Sequence, residues 1–178
     1  MDWNKLKFTK LENEILEFLF RNPTKNFNAK ELAINLKVSQ TAIAKSVRRL
    51  AKTGLLNVEK NILLSIKLNR EEKEIFTLKK LFNLKEMYSS GLVKVLAEEL
   101  PGVAVVLFGS YSYGEDTEES DIDLAIIGYK EREIDMKRFE DKLKRRIQLH
   151  FFKKTDEIHK NLRENIFNGV VLEGAIKI

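Results

Sequence analysis

The chain has 178 residues, of which 43% are hydrophobic and 33% are charged, so we expect a soluble globular protein of one or two domains rather than a disordered one. It contains no cysteine, which excludes a disulfide framework and a cysteine-based zinc site. No apolar run approaches the roughly 18 to 20 residues needed to span a bilayer, and the first residues show no apolar signal-peptide core. These features predict a cytoplasmic protein without a membrane partner.

Positive charge is concentrated in the N-terminal part. Residues 1–70 carry 14 Lys and Arg against 6 Asp and Glu, whereas residues 71–178 carry 18 against 21. A basic surplus in one part of a chain indicates an anionic partner for that part. Double-stranded DNA is the first candidate.

Three helices are predicted in the basic part. Apolar residues recur at helical spacing over residues 11–20, and a second, short helix follows a plausible cap at Asn28. After a tight turn, Ser39 caps a third helix, which Gly54 ends. Two β-rich runs then fold back on each other at residues 59–61, which predicts a small hairpin.

Three helices followed by a hairpin, with a short turn between the second and third helices, resemble the winged helix-turn-helix modules of prokaryotic regulators over residues 10–69. The resemblance implies that the third helix contacts DNA through the face opposite its apolar residues. The candidate DNA-binding residues on that face are Gln40, Thr41, Lys45, Arg48 and Lys52. Two alternatives stay open, a merely solvated helix face and a protein-docking module.

Helix-forming residues continue beyond the hairpin, with an interruption at residues 89–91 and a stop at Pro101. We therefore predict a DNA-binding domain at residues 1–69, linker helices at 70–100 and a third region at 101–178.

Two apolar β-branched runs, residues 103–109 and 121–128, predict buried strands. Asp121 and Asp123 fall on one face of the second strand, about 7 Å apart at their Cα atoms. Such carboxylates repel each other unless a cation lies between them, and Mg²⁺ is the natural candidate. Gly109 permits close backbone approach, and the Ser110 hydroxyl can bond a phosphate.

The spacing of these residues points to a family. Gly109 and Ser110, then ten residues, then the Asp121 to Asp123 segment resemble the signature of the minimal nucleotidyltransferases in the DNA polymerase beta superfamily, with similarity over residues 92–174. The resemblance implies a small mixed sheet with flanking helices, and hence an α+β chain overall. It also implies that Ser110 holds the triphosphate of Mg²⁺-bound ATP or another nucleoside triphosphate, and that Asp121 and Asp123 are catalytic metal ligands.

One feature departs from the family. Active members supply a third carboxylate from a later strand, where this chain offers Gln148 and His150. An amide brings no negative charge and takes no proton, so metal binding should weaken. Either another acid substitutes, with Glu173 and Asp141 as candidates, or the domain binds nucleotide without fast transfer.

Further expectations concern the segments around this signature. Tyr111 and Tyr113 flank the turn and are candidates for stacking on a base. Amphipathic helices are predicted at residues 131–146 and 153–169. The acidic residues between the two strands are expected to form a solvated loop, and they are Glu115, Asp116, Glu118 and Glu119.

Two functions from different classes remain open. The first is an enzyme that adenylylates an acceptor, which resembles antitoxins that modify a companion HEPN-type toxin. The second is a DNA-binding regulator whose transferase-like domain senses nucleotide or docks a partner, and Gln148 favours it. Winged helices often bind DNA as dimers, so a homodimer is a further expectation.

Overall fold

The computed structural model describes residues 7–60 and 64–177. The chain folds into two compact units, with the division between Lys79 and Lys80. We call them the N-terminal unit and the C-terminal unit and describe each by itself. Within the described residues, no helix has both the length and the apolar character required to cross a membrane.

The N-terminal unit contains three helices followed by a two-stranded hairpin. In chain order its elements are α1 (Lys10–Arg21), α2 (Ala29–Leu36), α3 (Gln40–Lys52), β1 (Leu56–Lys60) and β2 (Leu64–Leu68). The strands pair antiparallel, and Phe27, just before α2, forms an isolated β-bridge with Ile66. The predicted turn at residues 59–61 is wrong for Glu59 and Lys60, which belong to β1 and pair with Ser65 and Leu64, and Asn61 lies outside the described residues.

Local capping explains where these helices begin. The Asn28 side chain accepts hydrogen bonds from the backbone N–H groups of Lys30 and Glu31, and Ser39 Oγ accepts one from Ala42. Both predicted caps are confirmed. Caps of this kind satisfy backbone donors that have no partner within the helix.

Amphipathic spacing explains how α3 packs. Ile43, Val47 and Leu50 are almost fully buried, as expected for residues that share one face of a helix. Three helices, a short turn before α3 and the paired strands form a winged helix-turn-helix, so the predicted N-terminal architecture is confirmed.

The C-terminal unit contains a four-stranded sheet with helices on both faces. Helix α4 (Lys73–Ser89) begins in the N-terminal unit. The elements that follow are α5 (Leu92–Glu99), β3 (Ala104–Phe108), α6 (Gly109–Tyr113), β4 (Ile122–Ile127), α7 (Lys137–Leu143), β5 (Ile147–Phe152), a 3₁₀ turn (Thr155–Glu157), α8 (Lys160–Phe167) and β6 (Val170–Glu173).

The strand order in the sheet is β5-β4-β3-β6. β3 pairs antiparallel with β4 and β6, whereas β4 and β5 are parallel. One face of the sheet packs against α5 and α7 through residues such as Leu96 and Phe139, and the other packs against α8 through Ile166. The mixed sheet and the flanking helices confirm the α+β fold class.

The two predicted amphipathic helices are shorter than expected. α7 begins only at Lys137, whose backbone N–H donates to Asp135 Oδ1, and it ends at Leu143, because the next residue, Lys144, adopts a left-handed conformation with φ 56°. The segment 153–169 divides into the 3₁₀ turn and α8, because Glu157 Oε2 accepts the backbone N–H of Lys153 and closes a separate turn.

Candidate functional site

The sheet brings the two halves of the predicted signature together. Phe108 at the end of β3 pairs with Asp123 of β4, so the next residue, Gly109, lies beside the Asp123 carboxylate. Gly109 has φ +72°, and a Cβ added there would lie 2.9 Å from Asp123 Oδ2. The backbone conformation favours glycine at this position, and a larger residue would also have to displace the Asp123 carboxylate.

Ser110 lies in the first turn of α6 and is half-buried. Its carbonyl oxygen accepts the backbone N–H of Glu115 at 3.0 Å. The neighbouring Ser112 is buried, and its hydroxyl donates to the Gly109 carbonyl at 2.7 Å. The turn that presents Ser110 is therefore fixed by hydrogen bonds from the chain that follows it.

Asp121 and Asp123 are half-buried and both contact β5. Gln148 Nε2 donates to Asp121 Oδ2 at 2.5 Å, and His150 Nε2 lies 3.1 Å from Asp123 Oδ1. The predicted placement of Gln148 and His150 on one face of their strand is therefore seen in the structure. All four side chains converge at the end of the sheet.

Neither substitute for the missing third carboxylate joins this group. Glu173 lies on β6, which is two strands away from β4 in the sheet. Asp141 lies on α7 and lines a cleft of about 570 Å³ that also reaches Asp121. Across residues 7–60 and 64–177, no group of three or more His, Asp or Glu side chains is arranged to hold a metal.

The two carboxylates nevertheless fit a divalent cation. Each has one oxygen bonded to β5, and the hydrogen bonds found among the described residues leave Asp121 Oδ1 and Asp123 Oδ2 without a donor. Two partly exposed carboxylate oxygens on one side of a strand are suitable ligands for Mg²⁺, which retains other positions for water and phosphate oxygens. The residues present therefore fit an ion that is coordinated both by these carboxylates and by oxygens of a bound triphosphate.

Two expectations about the loop are wrong. Asp116 is not solvated but only 1% exposed, because it accepts a hydrogen bond from Asn83 Nδ2 at 2.8 Å and lies 3.8 Å from Arg145. Tyr111 is 4% exposed and belongs to the apolar core, so its ring is not available to stack on a base. Tyr113 is half-buried, with Lys80 Nζ 6.0 Å from its ring centroid.

Asn83 and Arg145 were not predicted as partners of the loop. Asn83 also donates to the Tyr111 carbonyl at 2.9 Å, so this one amide links α4 to both α6 and the loop. The partners are 33 and 29 residues from Asp116 in the chain. No local pattern connects such distant positions, and only an alignment of related sequences would have offered a signal.

The predicted DNA-binding residues all lie on the outside of α3. Gln40, Thr41, Lys45, Arg48 and Lys52 are exposed, and we call them the α3 surface. Arg49, between them in the chain, points differently. Its Nε lies 3.0 Å from Oε1 of Glu12, a residue of α1 that is only 2% exposed.

A comparison with curated proteins found no match. Among solved structures, the adhesin competence repressor AdcR from Streptococcus pyogenes is 20% identical and covers 55% of this chain and 71% of its own, with a TM-score of 0.40. The heme sensor protein PefR from Streptococcus agalactiae is 16% identical and covers 52% and 74%, with a TM-score of 0.37. These likenesses are too weak to carry an argument.

The family comparison concerns the part of the chain that holds the site. The model of the nucleotidyltransferase domain matches residues 89–172. The matched stretch includes β3, α6, β4 and β5, and therefore the four side chains that converge at the end of the sheet. Over residues 89–172, the C-terminal part of the chain is therefore similar to the nucleotidyltransferase domain family.

Proposed function

We propose that this protein transfers a nucleotidyl group, AMP from ATP, to an acceptor hydroxyl and that its N-terminal unit binds double-stranded DNA. The transferase proposal depends above all on one observation. Asp123 presents Oδ2, which accepts no hydrogen bond within the described residues, beside Gly109, where no side chain separates it from the turn that carries Ser110, and Asp121 precedes it by two residues.

Each residue has a distinct role. Ser110 donates its hydroxyl proton to a triphosphate oxygen, and Gly109 leaves room for the phosphates to approach the backbone. Asp121 and Asp123 would hold Mg²⁺, which when bound would neutralise charge on the phosphates. The acceptor oxygen forms a bond to the α-phosphorus and loses its proton to solvent water, while the bond from that phosphorus to the bridging oxygen breaks and pyrophosphate leaves.

The acceptor approaches Asp121 from the adjoining cleft of about 570 Å³. Acidic and basic side chains line this cleft, among them Glu119, Lys144 and Arg146. A cleft lined by both positive and negative charges suits a polar macromolecule better than an apolar small molecule. A partner protein, of the HEPN-toxin kind that the resemblance implies, is the acceptor we propose.

The DNA-binding part of the proposal is supported by charge and exposure. All five residues of the α3 surface are exposed, and three of them are cationic. Residues 1–70, which include α3, carry the basic surplus of the chain. Cations on a recognition helix neutralise phosphates, while small polar residues near its N-terminus reach base edges.

A second candidate function rests on Gln148. Because the position of the third carboxylate is occupied by an amide that donates to Asp121, the C-terminal unit can retain nucleotide without transferring it. The protein would then be a DNA-binding regulator that senses ATP or docks a partner. The two candidates share the nucleotide site and differ in turnover.

Label transfer from ATP distinguishes them. The purified chain is incubated with a cell extract and Mg²⁺, using ATP labelled at the α-phosphorus in one reaction and at the γ-phosphorus in another. If the protein is a transferase, adding it should label macromolecules in the reaction with α-labelled ATP. Adding it should not label them in the reaction with γ-labelled ATP. In the Asp121→Asn/Asp123→Asn variant the chain-dependent label disappears. Transfer that survives this change would contradict the site assignment, whereas Mg²⁺-dependent ATP binding without any transfer would favour the regulator.

A further inference from the structure

Two hydrogen-bond donors on β5 hold the carboxylates of the site. A third carboxylate on that strand would instead be a hydrogen-bond acceptor. Gln148 Nε2 donates to Asp121 Oδ2. An ionised carboxylate only accepts, so the 3.1 Å contact between His150 Nε2 and Asp123 Oδ1 places a donor on the imidazole. β5 therefore contributes two donors and no charge-bearing acceptor to this group.

Packing fixes His150, and strand register places Gln148. The His150 ring meets Phe108 edge to face, with ring centroids 5.2 Å apart, and its side chain is 31% exposed. Parallel pairing of β4 with β5 places Gln148 opposite Asp123, so its side chain reaches back to Asp121. Both donors belong to the strand that neighbours the carboxylates, and neither depends on a flexible loop.

The remaining ligand capacity is small. Asp121 Oδ1 and Asp123 Oδ2 are the carboxylate oxygens that the hydrogen bonds among the described residues leave open. Two metal ions held about 3.5 to 4 Å apart carry four positive charges and need acids that bridge them. Two carboxylates carry two negative charges, half of what would balance those two ions.

We propose that this site binds one divalent cation instead of two, and that Gln148 and His150 are positioning residues that each fix the orientation of one metal-binding carboxylate. The inference rests on the proposed function, because the cation enters together with the nucleotide. It goes further by giving the stoichiometry of the site and a role to the two β5 residues.

Counting Mn²⁺ tests the proposal without relying on turnover. Free Mn²⁺ is measured by electron paramagnetic resonance in the presence of α,β-methylene-ATP, against a protein-free sample with the same nucleotide. The unmodified chain should bind one Mn²⁺ per bound nucleotide. Gln148→Glu replaces the donor with a third carboxylate and should raise the count to two.

Matched variants separate positioning from charge. Gln148→Met has neither donor nor carboxylate, so the count should stay at one while Mn²⁺ affinity falls by about 10- to 100-fold, the usual cost of losing a partner that orients a ligand. His150→Phe should weaken binding in the same way, whereas His150→Gln keeps a donor and should restore most of the affinity. Gln148 is exposed, so Gln148→Met should leave the melting temperature unchanged, whereas Gln148→Glu adds a carboxylate beside Asp121 and should lower it in the absence of a divalent cation.

The outcomes distinguish this inference from the proposed function. Two Mn²⁺ ions per nucleotide in the unmodified chain would overturn the single-cation site while supporting the transferase. A count that stays at one in Gln148→Glu would overturn the role given to position 148, and unchanged affinity in Gln148→Met or His150→Phe would overturn positioning. Absence of any Mn²⁺ and nucleotide binding by the unmodified chain would contradict the proposed function itself.

Discussion

The α3 surface and the Asp121 to Asp123 site differ in how their side chains are held. In the described part of the chain, none of the five α3-surface residues makes a side-chain hydrogen bond or ion pair, and all are exposed. At the other site, each carboxylate has a partner on β5, and Gly109 lies against Asp123. Charge therefore governs the first surface, whereas geometry governs the second, and substitutions should separate the two.

The largest expected effect is loss of DNA binding after charge reversal on α3. Lys45→Glu/Arg48→Glu should reduce duplex affinity on the order of 100-fold or more and lower the slope of log affinity against log salt by about two, because two phosphate contacts are lost. Fluorescence anisotropy at several salt concentrations measures both quantities. The melting temperature should not change, since both residues are exposed.

A matched control for that reversal lies in the C-terminal unit. Lys130→Glu/Lys160→Glu makes the same change in net charge at two exposed lysines away from α3. Its DNA affinity should stay close to that of the unmodified chain. Equal losses in the two double variants would show that net charge alone matters and would remove α3 from the account.

Glycine at position 109 provides the second test. Gly109→Ala forces a side chain into a backbone with φ +72° and places its Cβ 2.9 Å from Asp123 Oδ2. We expect a loss of about 1 to 3 kcal/mol in unfolding free energy, together with loss of Mg²⁺-dependent ATP binding. Denaturant unfolding and calorimetry measure the two effects.

Gly102→Ala separates the effect of backbone strain from the effect of the close approach to Asp123. Gly102 has a similar φ of +83°, but a Cβ there meets nothing within 4 Å. This variant should lose comparable stability and keep its ATP affinity. If Gly109→Ala binds ATP as well as Gly102→Ala does, the close approach to Asp123 has no part in nucleotide binding.

The smallest expected effects distinguish two adjacent arginines. Arg48→Ala should weaken DNA binding by about tenfold without changing stability, because its side chain is exposed and unpaired in the described residues. Arg49→Ala should lower the unfolding free energy by about 1 kcal/mol, because it leaves the buried Glu12 without its cationic partner. Identical behaviour of the two variants would contradict the assignment of separate roles.

Much of the fold was predictable because its signals are local. Asn28 and Ser39 cap helices through backbone groups two or three residues away, and the apolar runs that become β3 and β4 are continuous in the chain. Asp121 and Asp123 were found from strand alternation and from their spacing after Gly109.

The rest depends on contacts between distant residues. Asp116 is in an acidic stretch that is typical of a solvated loop, yet Asn83 and Arg145 bury it. The contact of Arg49 with Glu12 likewise crosses from α3 to α1. Gln148 was predicted as a replaced ligand, but its hydrogen bond to Asp121 depends on the parallel register of β4 and β5.

Titration of ATP into the purified chain by calorimetry, with and without Mg²⁺, tests the central claim most directly. The account predicts binding that requires Mg²⁺ and that disappears in the Asp121→Asn/Asp123→Asn variant, since those carboxylates hold the ion. Binding that is the same without Mg²⁺, or unchanged in the variant, would contradict a metal-nucleotide site at the start of β4.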